Sequence, residues 1–115
     1  MLLSQKQREF AFHVHLLIQH IFAMGYECTL GDAYRDPRSH GKQGEEGPYG
    51  RNASAHKSRL AIDLNLFVDN MYISESAPYT QFGIYWCALH KENEWGGNWR
   101  GNDANHFSRR HNGIA

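Results

Sequence analysis

The sequence predicts an α+β fold in which a small antiparallel sheet packs against two main helices. Two segments repeat apolar residues at the spacing of a helix face, and a segment between them alternates apolar and polar residues as a β-strand does. The 115 residues suffice for one compact domain with a single core but are too few for two. We therefore expect one domain over residues 1–115.

The first helix is predicted over about Gln5–Met24. Ser4 followed by Gln7 resembles a capping box at its start, and Gly25 is typical of a helix C-terminus. The apolar residues that recur at helical spacing are Phe10, Val14, Leu17, Ile18, Ile21 and Phe22. A short strand, Tyr26–Leu30, is expected to follow. The segment from Pro37 to Ala53 is rich in glycine, serine, proline and charge, which predicts a long surface loop.

The clearest strand signal is the run Leu60–Val68. Its alternation places Ile62, Leu64 and Leu66 on one face, and Ala61, Asp63, Asn65 and Phe67 on the other. Asp63 should therefore point away from the aliphatic core, toward a cleft. The pair Asp69-Asn70 predicts a turn into a hairpin with Met71–Ile73.

A second helix is predicted from Pro78 to about Lys91. Its apolar stripe consists of Phe82, Tyr85, Trp86 and Leu89, and proline is common in the first turn of a helix. A loop rich in glycine and tryptophan follows this helix. The last predicted element is a short strand around His106–Arg110.

The charge, the apolar runs and the cysteines argue against several classes of function. The formal net charge is zero, which argues against a nucleic-acid partner or binding to an anionic membrane surface. No apolar run approaches the roughly 20 residues that span a bilayer. Cys28 and Cys87 are far apart in the sequence, so we expect two partly buried free thiols rather than a disulfide or a thiolate zinc site.

Two segments carry the chemistry of a metal site. Ser54–Leu64 offers His56 and Asp63, and Glu94–Phe107 offers His106 with a spare carboxylate, Asp103. Three protein ligands with a fourth position open to water are typical of zinc hydrolases. His56 and Asp63 can converge only if the chain bends between them, and His106 must come from a neighbouring strand. Spacing alone leaves open a plain surface role, because the chain holds eight histidines.

Three further histidines lie on the first predicted helix. They are His13, His15 and His20, and no two of them are four residues apart as in a helical zinc site. We expect a solvated or partly packed face there.

The patterns Ser-x-His-x6-Asp and Asp-x-x-His-Phe, the second preceded by Trp-Gly-Gly-x-Trp, resemble the M15 peptidases. These include D-Ala-D-Ala carboxypeptidases and dipeptidases, and phage endolysins that cut L-alanyl-D-glutamate bonds. The resemblance runs from about Tyr34 to Phe107 and implies a hedgehog/D-Ala-D-Ala-peptidase-like fold. It implies Zn²⁺ bound by His56, Asp63 and His106, with Asp103 as the catalytic carboxylate. It also implies that Arg35 lies over the substrate or transition state.

Other residues have weaker assignments. Ser54, Trp95 and Trp99 are predicted to contact substrate, with an ordinary loop hydroxyl and plain core packing as the alternatives. A structural ion pair with Asp32 or Asp36 is the alternative for Arg35. Many relatives have glycine where Arg59 stands, so the turn between the first two ligands is expected to differ here.

The resulting hypothesis is a monomeric zinc peptidase that acts on peptidoglycan stem peptides. The N-terminus lacks the order of a signal peptide, so we expect synthesis in the host cytoplasm and holin-type release to the wall. This favours a phage or prophage L-alanyl-D-glutamate endolysin. The alternatives are a D-Ala-D-Ala carboxypeptidase or dipeptidase, and a catalytically silent zinc-containing binding or phage structural module. A nuclease built on His106, His111 and Asn112 is disfavoured because no basic patch would meet phosphate.

Overall fold

The computed structural model describes residues 1–34, 43 and 54–115, and within them it has two helices and five strands. The elements are α1 (Leu3–Ala23), β1 (Glu27–Leu30), β2 (Ala61–Val68), β3 (Met71–Tyr72), α2 (Thr80–Leu89), β4 (Asn93–Trp95) and β5 (His106–Arg109). Short 3₁₀ turns occupy Ala55–Ser58, Ala77–Tyr79 and Gly96–Asn98. The predicted α+β class is confirmed. The predicted loop Pro37–Ala53 lies outside the described residues, apart from Gln43.

The start of α1 differs from the prediction. The helix begins at Leu3, and the Leu2 backbone N–H donates to Gln5 Oε1 at 2.8 Å. The predicted capping box of Ser4 and Gln7 is wrong, because Gln7 Nε2 instead donates to the Ser58 carbonyl at 2.9 Å. Gly25 does follow the helix, with a φ of +88° that favours glycine.

The sheet is antiparallel, with the order β1-β2-β5-β4 and with β3 paired to β2 in the predicted hairpin. Its central strand, β2, has the expected alternation from Ile62 onward, with Ile62, Leu64 and Leu66 buried and Asp63, Asn65 and Phe67 half-buried, whereas Ala61 is buried as well. Strand β4 was not predicted and lies where a loop was expected. Its three residues are too few to show a period in the sequence.

The core lies between the two helices and the sheet. The Trp86 ring meets Phe10 of α1 edge to face, with centroids 5.6 Å apart, and Phe107 of β5 at 6.1 Å. Its Nε1 donates to the Ser108 carbonyl at 3.0 Å, which ties α2 to β5. Phe22, predicted in the apolar stripe, is 49% exposed because it follows the buried Ile21 by one residue, about 100° around the helix.

The histidines of α1 match the partly packed face that was expected. His13 is buried with its ring edge to face against Trp86, and His20 stacks on Tyr85 with centroids 4.1 Å apart. His15 is exposed.

A buried cation joins β5 to α1 and to the chain before β4. Arg109 is 2% exposed, and its guanidinium donates to Glu9 and, at 3.1 Å, to Glu92 Oε1. Hydrogen bonds from Arg109 lower the pKa of both carboxyl groups. Burial of the Arg109 charge is costly without partners, so β5 can pack in this way only because the two carboxylates pair with it.

Both cysteines, Cys28 and Cys87, are free and partly buried, as expected. Among the helices of the described chain, none has the length and apolar character needed to cross a membrane.

Candidate metal centre

Strands β2 and β5 place two of the predicted ligands side by side. Asp63 and His106 are direct partners in the antiparallel register, so their side chains emerge from the same face of the sheet. This confirms that His106 reaches the site from a strand next to Asp63.

The third predicted ligand, His56, is presented by the 3₁₀ turn Ala55–Ser58. The Ser54 hydroxyl oxygen caps this turn by accepting the His56 backbone N–H at 3.2 Å. Arg59 then takes the left-handed conformation, with φ 56° and ψ 37°, and redirects the chain into β2. The bend required between His56 and Asp63 is therefore made by this turn and Arg59.

The three side chains meet around one carboxylate oxygen. Asp63 Oδ1 lies 3.4 Å from His56 Nε2 and 3.5 Å from His106 Nδ1. One ligand atom from each residue falls within 4.8 Å of the others, and no other such His, Cys, Asp or Glu group occurs in the part of the chain described. Two ring nitrogens and a carboxylate oxygen are a donor set that suits zinc.

The hydrogen bonding of His56 leaves one ring nitrogen free to face Asp63. Its Nδ1 lies 3.0 Å from the carbonyl oxygen of Ala33. A carbonyl only accepts, so Nδ1 carries the proton and a neutral ring leaves the lone pair of Nε2 directed toward Asp63. Ala33 was not among the predicted site residues, since no sequence signal marks a residue that acts through its backbone carbonyl.

The charge of Asp63 fits a cation at this place. Burial raises the pKa of Asp63, but His106 and His56 outweigh the effect and lower the pKa to about 2. Asp63 Oδ1 is buried, and its two imidazole neighbours, at 3.4 and 3.5 Å, are too far away for well-formed hydrogen bonds. A buried anionic oxygen that faces two imidazole nitrogens at such distances is the environment expected of a metal ligand.

Asp103 lies at the exposed side of the three grouped side chains. Its Oδ2 is 3.9 Å from His106 Nδ1, and its side chain is 52% exposed. The His106 backbone N–H donates to the Asp103 carbonyl at 3.1 Å, so Asp103 sits in the turn that enters β5, as predicted. Its carboxylate is open to solvent and to a substrate.

Gly96, which was not among the predicted site residues, allows this turn to approach the site closely. The Gly96 carbonyl accepts from Asp103 N at 2.9 Å. A Cβ added at Gly96 would lie 2.2 Å from the Asp103 carbonyl oxygen and 2.9 Å from His106 Cβ. The glycine pair after Trp95 was the only signal of this constraint.

The two tryptophans occupy different environments. Trp95 is 5% exposed, packs against Gly83 and Gly97, and donates from Nε1 to the Ala104 carbonyl. It therefore lies in the core, which is the alternative that the sequence left open for this residue. Trp99 is partly exposed, and its ring lies 4.7 Å from that of His106, where it can form a wall of the site.

Ser54 and Arg35 complete the predicted set. Ser54 is buried, and its hydroxyl acts on His56 through the turn. Its backbone N–H also donates to Gln43 Oε1 at 2.7 Å. Arg35 lies outside the described residues, so its role remains a prediction.

A polar pocket of about 200 Å³ opens beside Asp103. We define it by the side chains of Tyr72, Ser74, Ser76, Asn102, Asp103 and Asn105. Asn102 Nδ2 donates to Ser76 Oγ at 2.7 Å across it. Asp103 lines this pocket and also lies beside His106, so the pocket adjoins the three grouped side chains.

Comparison with known proteins bears on these residues. A family model described as D-alanyl-D-alanine carboxypeptidase matches residues 49–109, more than half of the chain. The matched span contains the three grouped residues and Asp103, while Arg35 precedes it. No curated protein matches the chain at a significant level. By its sequence match, the chain belongs to the D-alanyl-D-alanine carboxypeptidase family of M15 peptidases.

Proposed function

We propose that this protein is a zinc peptidase that hydrolyses peptide bonds in peptidoglycan stem peptides. The observation that carries the proposal is the grouping of His56, Asp63 and His106 beside an exposed carboxylate, Asp103, in a member of a peptidase family. A protein that only binds metal needs the three ligands, whereas hydrolysis also needs a base at the position of Asp103.

In this proposal His56, Asp63 and His106 would hold zinc, and the atoms that face one another are His56 Nε2, Asp63 Oδ1 and His106 Nδ1. When bound, zinc supplies a Lewis acid that lowers the pKa of water toward about 7. The Ala33 carbonyl holds the His56 ring in the tautomer that ligation requires.

The proton transfers are assigned to Asp103. Its carboxylate accepts a proton from the attacking water and later donates it to the nitrogen of the leaving amine. The exposed position of the side chain beside His106 supports this role. Arg35 is proposed to donate hydrogen bonds to the developing oxyanion, as the family resemblance implies.

The polar pocket is proposed to hold the leaving side of the substrate. The group that receives a proton from Asp103 must lie next to that carboxylate, and the pocket has Asp103 on its wall. The hydroxyl and amide side chains of Ser74, Ser76 and Asn105 suit hydrogen bonds with the amide groups of a stem peptide.

Among the M15 activities whose enzymes the two sequence motifs resemble, we propose the L-alanyl-D-glutamate endopeptidase of a phage or prophage endolysin. In this account the protein acts as a monomer and reaches the wall through a holin-type pore. The second candidate is a D-Ala-D-Ala carboxypeptidase, which the description of the matching family model favours.

The test is digestion of purified sacculi with zinc-loaded protein, followed by labelling of new amino termini and mass spectrometry of the products. The proposed activity predicts new amino-terminal glutamate on the stem peptides. Release of free alanine would instead identify the carboxypeptidase. Protein treated with a chelator is the control, and unchanged muropeptides with zinc-loaded protein would refute both activities.

A further inference from the structure

Arg59 stands in a backbone conformation that favours glycine. Its φ of 56° and ψ of 37° are left-handed, and it lies between the ligands His56 and Asp63. A side chain at this position strains the backbone, and glycine would adopt the same turn freely. The presence of arginine therefore calls for a contribution from its side chain.

The Arg59 side chain lies over an aromatic ring. Its Cζ atom is 4.1 Å from the centroid of Tyr34, within the range of a cation–π interaction. Arginine also stacks well on aromatic faces, because its guanidinium is planar and weakly hydrated. This contact joins the turn after His56 to the segment that follows β1.

The segment joined in this way also touches the candidate metal centre. Gly31 N donates to the Asp63 carbonyl at 2.7 Å, and Asp63 N donates to the Asp32 carbonyl at 2.8 Å. Ala33, the next residue, accepts the Nδ1 proton of His56. Tyr34 comes directly after Ala33, so a fixed Tyr34 ring restricts the position of the Ala33 carbonyl.

We propose that Arg59 is a positioning residue for the metal centre. By holding Tyr34, it keeps the Ala33 carbonyl on His56 Nδ1, and so keeps His56 Nε2 directed toward Asp63. Glycine at this position satisfies the turn but cannot hold the ring. The inference rests on the proposed metal centre for its consequence in zinc affinity, while its effect on His56 is a property of the metal-free protein.

The test compares Arg59→Gly, Arg59→Lys and Tyr34→Ala with the wild type. Zinc affinity is measured by competition with a chelator, and the His56 tautomer by nitrogen NMR of metal-free protein at a pH where the imidazole is neutral. We expect R59G and Y34A to weaken zinc binding by about tenfold, the low end of the effect of losing a partner of a ligand. Both should also lose the preference for the Nδ1 proton on His56.

Arg59→Lys should bind zinc more tightly than R59G but less tightly than the wild type, because it keeps a cation over the ring and loses the planar stacking of the guanidinium. Asp69→Gly is the matched control, since Asp69 is also left-handed, with φ 51°, but lies in an exposed turn. It should leave zinc affinity unchanged. The double variant R59G/Y34A should bind zinc as tightly as either single variant, because both substitutions remove the same contact.

Wild-type zinc affinity and an unchanged His56 tautomer in R59G would overturn the inference, as would an R59K variant as weak as R59G. If the wild type binds no zinc and R59G shows the expected change in the His56 tautomer, the proposed function is contradicted while the positioning role of Arg59 is supported. The two failures are therefore distinguishable.

Discussion

Asp63 and His106 are direct cross-strand partners, and their side-chain atoms Oδ1 and Nδ1 lie 3.5 Å apart. The register of β2 against β5 produces this distance. A slip of one residue would turn Asp63 to the opposite face of the sheet and separate the two groups. The geometry of the candidate centre is thus a consequence of strand pairing, and only His56 reaches it from outside the sheet.

Removing any one of the three grouped side chains should abolish tight zinc binding. We expect His56→Ala, Asp63→Ala and His106→Ala each to weaken zinc affinity by more than about 100-fold, since even partners of ligands contribute about 10–100-fold. Chelator competition and metal analysis measure the effect. His15→Ala, which changes an exposed histidine of α1, is the control and should bind zinc normally. Stoichiometric zinc retained by H106A would contradict the assignment.

Gly96→Ala should damage the site without touching any proposed ligand. The new Cβ collides with the Asp103 carbonyl and with His106 Cβ, so the turn must shift. We expect a loss of about 1–3 kcal/mol in the free energy of unfolding, typical of overpacking, and a fall in peptidase activity. Gly101→Ala is the matched control, because nothing lies within 4 Å of its Cβ position. Equal stability of the two variants would show that the close approach is not required.

Stability should fall in acid because of the Arg109 network. Hydrogen bonds from Arg109 lower the folded-state pKa of Glu9 and Glu92 below the ordinary 4.5. Their contribution is therefore complete above pH 4.5 and is lost as the pH falls through the lowered folded-state values. Glu92→Gln should be less stable at neutral pH, with a smaller further loss on acidification.

Urea unfolding at about pH 7 and about pH 3 measures this dependence. Glu75→Gln, at an exposed site, is the control and should keep the wild-type dependence on pH. If acidification lowers the free energy of unfolding of E92Q as much as that of the wild type, the Arg109 network does not cause the loss of stability in acid.

Filling the polar pocket should impair long substrates. Ser74→Leu places an apolar side chain on its wall, and we expect kcat/KM to fall by about tenfold for peptides that extend beyond the scissile bond. Zinc affinity should not change. Ser4→Leu, an exposed serine of α1, serves as the control. Unchanged kinetics in S74L would show that the polar pocket does not bind substrate.

Much of this architecture was predictable from residue patterns. The alternation along β2 predicted the direction of the Asp63 side chain. His56 and Asp63 would lie on opposite faces of one regular strand, so a bend was required between them, and the Ala55–Ser58 turn provides it. Residue types that suit a metal made the three grouped side chains candidates, and the resemblance to the M15 peptidases then selected them. The direction of Asp63 and the bend after His56 rest on local geometry, which a sequence records directly.

The remaining features depend on tertiary contacts. The hydrogen bond of Ala33 to His56 uses a backbone carbonyl, which any residue type supplies. The burial of Trp95 depends on the glycines packed against its ring, one of which, Gly83, comes from another element. Gln7 could cap its own helix or reach Ser58, and only the packing of α1 against the turn decides between these partners.

The most direct test of the central claim compares zinc-loaded wild type with zinc-loaded Asp103→Asn on purified sacculi. The variant keeps the size of the side chain and all three proposed ligands but removes the base. We expect equal zinc content and a fall of about 10²-fold or more in the rate at which new amino termini appear. Equal rates for the two proteins, or intact wall peptides with the zinc-loaded wild type, would contradict the account.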